Sequence, residues 1–379
     1  MSESTNTAAE ARVRHWLNET AWGFWRDNAV DLPHGGFVER FSLSGLPDDP
    51  GFKRCRVTAR QLYVFSHASI LGFAGAREIA ESGYRYLVGK FHMGSGEWAR
   101  RVSTRGEIID RTQDLYDLAF VLFSLSWWAR VSGENEPIRL AEQTLAAIHR
   151  NLRHPSGEGY LQFAGAGAPY EQNPHMHLLE AMLFLAQKSP GSLFLDEAQS
   201  LFRLARKRFI GGSGTLAEFF EADWSRPERI RVEPGHHFEW TWILKRFHDL
   251  TGSTEATELA ETLFNFAIHN GVASRTGLIR DAVDPAGNIL EGDHRIWPQL
   301  EAVKAWIAIS EIRGLDPSAE IEKLVGKIFD HYLDPGHPGL WIDHVTGDLK
   351  PRVEFAPTST FYHVFLSFSE LLKFAGQRA

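Results

Sequence analysis

A pattern of roughly 60 residues, repeated six times, constrains this chain more than any other feature. Each copy reads as an amphipathic helix, a Gly-led apolar stretch of hairpin character, and a second helix. The first copy runs from a helix over residues 9–28, through Gly35-Gly36-Phe37-Val38-Glu39-Arg40-Phe41, to a helix beginning near Arg54. The second has a helix over 76–92, Gly96-Glu97-Trp98-Ala99, and a helix from Gln113 to Arg130. The third has 135–152, Gly159-Tyr160-Leu161-Gln162-Phe163 and a helix from Asn173; the fourth has 192–209, Gly214 to Phe219 and a helix from Gly235. In the fifth, 254–270 and Gly277 to Asp281 precede a helix from about Arg295. In the sixth, 317–333 and Gly339 to Asp343 precede one from about Thr358.

No linker or low-complexity tract separates the copies, so residues 1–379 are expected to form a single domain. The expected class is all-α: an (α/α)6 barrel of six inner and six outer helices, with short β-hairpin loops at one end. An open solenoid would need polar capping repeats, and the terminal helices here are as aromatic as the internal ones. A length of 379 residues with 43% hydrophobic content can bury the core such a ring requires. The helix after each Gly-led loop should be the inner one. All six inner helices then begin at the same end, where a pocket is predicted.

The starts of those helices carry the chemistry. They hold Arg56, Arg60 and Gln61; Asp114, Tyr116 and Asp117; Asn173, His175, His177 and Glu180; His236, His237 and Glu239; Arg295, Trp297, Gln299 and Glu301; Thr358, Tyr362 and His363. Polar groups gathered at depth are expensive unless paired or used. At the centre stands Glu233-Pro234-Gly235-His236-His237-Phe238-Glu239-Trp240, where His236 and Glu239 are three apart on the first helical turn and can share a face. A histidine with a carboxylate neighbour suits proton transfer near neutral pH.

Other classes are disfavoured. A net charge of −8 and a pI near 6.1 argue against nucleic acid or an anionic membrane as partner. Cys55 is the only cysteine, and neither His175-x-His177 nor His236-His237 has the i, i+4 spacing of helical zinc pairs, so no metal and no cofactor are expected. The first ten residues lack the apolar core of a signal peptide and no apolar run reaches eighteen residues, so a cytoplasmic protein is expected. Oligomeric state is not legible.

Six stretches in order resemble the N-acylglucosamine 2-epimerase family, which also holds cellobiose 2-epimerases, mannose isomerases and sulfoquinovose isomerases. They are Thr58-Ala59-Arg60-Gln61, Leu115 to Phe120, Asn173 to Ala181, Pro234 to Trp240, Arg295 to Ala302, and Tyr362-His363. The resemblance implies a monosaccharide substrate, a ring-opened sugar and an enediol-type intermediate, without metal or redox cofactor. It places the acid–base pair on His236 and His363, with Glu239 orienting His236. It gives sugar binding to Arg60, Tyr116, Asn173, His177 and Trp297. His237 is expected to face a neighbouring helix. The Pro-Gly-His-His-Phe-Glu-Trp form resembles the mannose and sulfoquinovose isomerase branch, whereas Arg60-Gln61 resembles the acylglucosamine epimerases. The expected reaction is interconversion of D-mannose and D-fructose, with a 2-epimerase as alternative and a sulfoquinovose isomerase after it. An (α/α)6 glycoside hydrolase built on two of Asp117, Glu180, Glu239 and Glu301 is a rival, as is a non-catalytic binding protein.

Overall fold

Inner helices run over Cys55–Ile70, Leu115–Ser132, Asn173–Lys188, Pro234–Thr251, Ile296–Arg313 and Phe361–Arg378 in the computed structural model, which describes residues 7–189 and 193–378. Each packs against the next, and the sixth against the first, so the ring closes as an (α/α)6 barrel. Residue 192, expected to open the fourth outer helix, lies outside the described residues, as do the ends of the expected domain.

Burial patterns explain the two layers. The inner helix Leu115–Ser132 is buried almost all round, which its largely apolar sequence permits. The outer helix Glu136–Asn151 buries one stripe only, through Leu140, Ala141, Thr144, Leu145 and Ile148. Three inner helices stop at a left-handed glycine, Gly133, Gly252 or Gly314, a conformation that other residues adopt at a cost.

Among the described residues, five outer helices contain a π-helical turn, which the periodicity did not foretell. In four of them it is the last turn, at Leu87–Phe91, Ala205–Phe209, Ala267–Gly271 and Phe329–Leu333, and the chain passes from it towards the Gly-led loop.

Each of those loops folds back on the end of its outer helix in the same way. A backbone amide bonds a carbonyl eight to ten residues earlier: Val38 to Ala29, Ala99 to Phe91, Leu161 to Leu152, Ala217 to Phe209, Arg280 to Gly271 and Ile342 to Tyr332, at 2.8–3.4 Å. In four of the six repeats the next residue is acidic: Glu39, Glu218, Asp281 and Asp343. Three of these carboxylates clamp the capping amide of the following inner helix. Glu39 Oε1 accepts from Arg54 N at 2.7 Å, Glu218 Oε1 from Glu233 N at 3.2 Å, and Asp281 Oδ1 from Arg295 N at 2.9 Å. Capping donors left over at a helix start are thereby satisfied.

Short antiparallel pairings stitch neighbouring repeats together around the mouth. Arg40–Ser42 pairs with Phe355–Pro357, joining the first repeat to the last. Tyr170–Glu171 pairs with Phe219–Phe220, and His294–Arg295 with His344–Val345. No helix among the described residues is long and apolar enough to cross a membrane.

Candidate active site

At the hairpin end of the barrel, the inner-helix starts surround a cavity of about 330 Å3. All eight residues named from the sequence line it: Arg60, Tyr116, Asn173, His177, His236, Glu239, Trp297 and His363. The lining also includes Glu171, Glu218, Phe219, Glu233, Arg295 and Thr360.

Two histidines meet across one indole. The His236 ring lies 4.9 Å from Trp297 and the His363 ring 5.7 Å from it, centroid to centroid. Trp297 reaches this place because Gly235 opens the fourth inner helix without a side chain. A Cβ there would stand 2.5 Å from Trp297 Cη2.

The carboxylate that orients His236 is not the expected one. His236 Nδ1 lies 2.8 Å from Glu218 Oε2, on the hairpin, whereas Glu239 projects one turn deeper. There Glu239 Oε1 lies 3.9 Å from His177 Nε2 and takes no hydrogen bond. Glu218 is itself held by Gln172 Nε2 at 3.0 Å and by the Glu233 amide. The sequence does carry a signal for it: an acid lies near the end of four of the six Gly-led stretches.

His363 has a matching partner, with Nδ1 2.7 Å from Glu301 Oε1. Electrostatics nevertheless separate the pair. Burial would lower His236, but the charge and hydrogen bond of Glu218, with Glu233 and Glu239, push it up to about 9. Burial lowers His363, Glu301 opposes this, and the Arg60 and Lys304 cations add to it; the result is about 4. Near neutral pH, then, His236 is an imidazolium and His363 a neutral ring. With Nδ1–H donated to Glu301, the lone pair of His363 is left on Nε2.

The remaining groups form a connected wall. Arg60 Nη2 donates to the Tyr116 hydroxyl at 2.6 Å, and its guanidinium lies 4.0 Å from the Phe120 ring centroid. His177 Nδ1 sits 3.2 Å from Glu180 Oε2, which also accepts from the Tyr362 hydroxyl at 2.7 Å. Burial holds His177 well below its ordinary value, helped by Arg60 and His236, so it is neutral. Burial pushes Glu180 up to about 7 and raises Glu239 well above the usual carboxylate range, the latter also through Glu301. Asn173 Oδ1 is buried without a partner and is free to accept from a ligand hydroxyl.

His175 and His237 are spent on the backbone. His175 Nε2 accepts from Tyr160 N at 2.9 Å, and His237 Nε2 from Leu216 N at 3.1 Å, each pinning a Gly-led loop. His237 stacks on Phe266, 4.9 Å away, on the side of the neighbouring outer helix.

Among the described residues, two trios bring possible metal-ligand atoms within 4.8 Å of one another: Glu218, Glu233 and His236; and Glu239, Glu301 and His363. In both, the histidine Nδ1 already makes a short hydrogen bond to a carboxylate of its own trio. In the second, the Lys304 ammonium stands 2.7 Å from Glu301 Oε2, where a cation would go. The donor chemistry favours ion pairs over a metal in both places.

Comparison with known proteins identifies the family. The family model "N-acylglucosamine 2-epimerase (GlcNAc 2-epimerase)" matches residues 35–367. A mannose-6-phosphate isomerase of Rhizobium meliloti (strain 1021) is 32% identical over 375 residues, covering 94% of this chain and 95% of its own. A cellobiose 2-epimerase of Bacteroides fragilis is 24% identical over 303 residues, 74% of this chain and 76% of its own. Among solved structures, a D-mannose isomerase superposes with a TM-score of 0.87 at 20% identity, covering 97% of this chain and 99% of that one, a likeness of fold. The chain therefore belongs to the N-acylglucosamine 2-epimerase family and is an enzyme of the sugar isomerase or 2-epimerase type.

Proposed function

We propose that the chain is a cofactor-independent aldose–ketose isomerase interconverting D-mannose and D-fructose. The observation that carries this reading is the pair of imidazoles on either side of Trp297 in one cavity, each tied through Nδ1 to its own carboxylate. A cavity of about 330 Å3 lies at the small end of the range for ligand sites and suits a single hexose.

In this reading the neutral Nε2 of His363 takes the proton from C2 of the open-chain aldose. The electrons move to the carbonyl, and the His236 imidazolium donates its Nε2 proton to O1, giving an enediol. His363 then returns its proton to C1 as His236 recovers one from the O2 hydroxyl, leaving the ketose. Arg60 and Tyr116 stabilise the oxygens on which charge develops. A proton next to a carbonyl is weakly acidic, so a base and a matched acid both have work to do. His177 and Asn173 bind hydroxyls.

A 2-epimerase is the second reading, since histidines from two helices reach one cavity and epimerisation uses a group on each face. Mannose in deuterated water separates the two. Fructose should be the main product, with some deuterium at C1. Glucose appearing first and labelled at C2 makes the chain an epimerase. Mannose 6-phosphate belongs in the same assay, because the R. meliloti relative carries that substrate in its name. Of the two guanidiniums lining the cavity, Arg60 is bonded to Tyr116 at the reacting end and Arg295 faces Asp281 at 3.9 Å, so the free hexose is the expected substrate.

A further inference from the structure

Beneath His363 lies a lysine that takes no part in the reaction above. Lys304 is fully buried on the fifth inner helix, one turn after Glu301, with its ammonium 4.2 Å from the Trp242 ring centroid. Its Nζ touches Glu301 Oε2 at 2.7 Å, in an angled ion contact that is not an aligned hydrogen bond. The other oxygen of the same carboxylate holds His363 Nδ1 at 2.7 Å. An unpaired buried ammonium would be prohibitively expensive, so its place in the centre of the barrel calls for a reason.

We propose that Lys304 is a positioning residue: it clamps the far oxygen of Glu301, so that the near oxygen stays on His363 and the ring presents Nε2 to the substrate. The inference rests on the reading of His363 as the base.

The surroundings show what the ammonium does there. Glu301 faces Lys304 from its own helix, Glu239 from the fourth inner helix and Glu180 from the third, all buried. Arg60 and neutral His177 complete that side, Tyr362 of the sixth helix donates to Glu180, and Glu370 with Arg246 lies beyond Trp242. Without a cation among these buried carboxyls, the His363–Glu301 pair would share in holding a proton. Burial would raise Glu301; Lys304 and His363 outweigh it and keep this carboxyl ionised. Without the ammonium, the pair as a unit binds a proton at higher pH, whichever partner carries it, and the base is lost while that proton is on.

The test is the pH profile of kcat/KM for Lys304→Met beside the unsubstituted protein and His363→Ala. We expect the acid limb of Lys304→Met to move up by about one pH unit or more, with activity recovering to within a few-fold at alkaline pH. A merely structural lysine would lower the rate equally at every pH, and that result overturns the proposal. Lys304→Gln keeps a donor to Glu301 and gives up only the charge; it should shift the limb the same way and serves if Lys304→Met does not fold. Loss of the fold in both variants assigns Lys304 to stability alone and also overturns it. His363→Ala tells the two ideas apart. Near-normal turnover in that variant removes the base assignment itself, whereas an inactive His363→Ala with an unshifted limb in Lys304→Met removes only the role of the lysine.

Discussion

His236 Nδ1 and Glu218 Oε2 stand 2.8 Å apart, although one opens an inner helix and the other ends the hairpin that precedes it. The proton state of the histidine therefore depends on a loop residue 18 positions away. Glu218→Gln keeps a polar contact and removes the charge. The alkaline limb of the rate profile should fall by about one to three pH units, the effect expected of one neighbouring charge. A limb that stays in place would assign the control of His236 to Glu233 instead.

The split between the two histidines gives the unsubstituted enzyme a broad bell. With His363 near about 4 and His236 near about 9, kcat/KM of the free enzyme should be flat across neutral pH and fall outside those values. Stability follows on the alkaline side. The folded value for His236 lies above the unfolded value of about 6.5, so its contribution is complete below about 6.5 and disappears as pH rises through about 9. Two limbs both near 6.5 would contradict the assignment.

Alanine substitutions should sort the histidines by what they touch. His236→Ala and His363→Ala should each lose roughly two to four orders of magnitude in rate. His237→Ala should leave kcat close to normal and lower stability by about 1–3 kcal/mol, because the buried Leu216 amide loses its acceptor. Kinetics paired with thermal unfolding checks all three.

Gly235→Ala probes the seat of Trp297. The added methyl would meet the indole at 2.5 Å, so the ring must shift between the two histidines. Overpacking of this kind costs about 1–3 kcal/mol, and KM for the sugar should rise along with it. An unchanged KM would show that the indole does not contact substrate.

Exhaustive chelation should leave turnover intact. Both histidine Nδ1 atoms are committed to carboxylates, and Lys304 neutralises the deeper cluster. Loss of activity restored by one particular divalent ion would refute this.

The layers of the barrel were legible because a period of roughly 60 residues survives in the sequence whatever the fold does locally. The inner-helix starts were legible too, since Pro234-Gly235 and Asn173-Pro174 mark them in single letters. Partner choice was not. Glu239 shares a helical face with His236 by spacing, yet the backbone of the hairpin delivers Glu218 to the same nitrogen, and spacing along one helix cannot show what a neighbouring loop brings. Lys304 was passed over because a lysine in a helix ordinarily marks a solvated face. Only the closed ring reveals that its side chain points among carboxylates.

Glu39, Glu218 and Asp281 each use one oxygen to clamp the first amide of an inner helix and the other to grip a basic side chain: Arg54, His236 and His344 respectively. Mechanical support and acid–base tuning are thus fused in one atom group at position 218 and separate from each other at 39 and 281. Anyone engineering this barrel for heat tolerance has one anchor, Glu39, that can be strengthened without touching the cavity, since Asp281 holds Arg295, which lines it. At Glu218, every change in rigidity is also a change in reactivity.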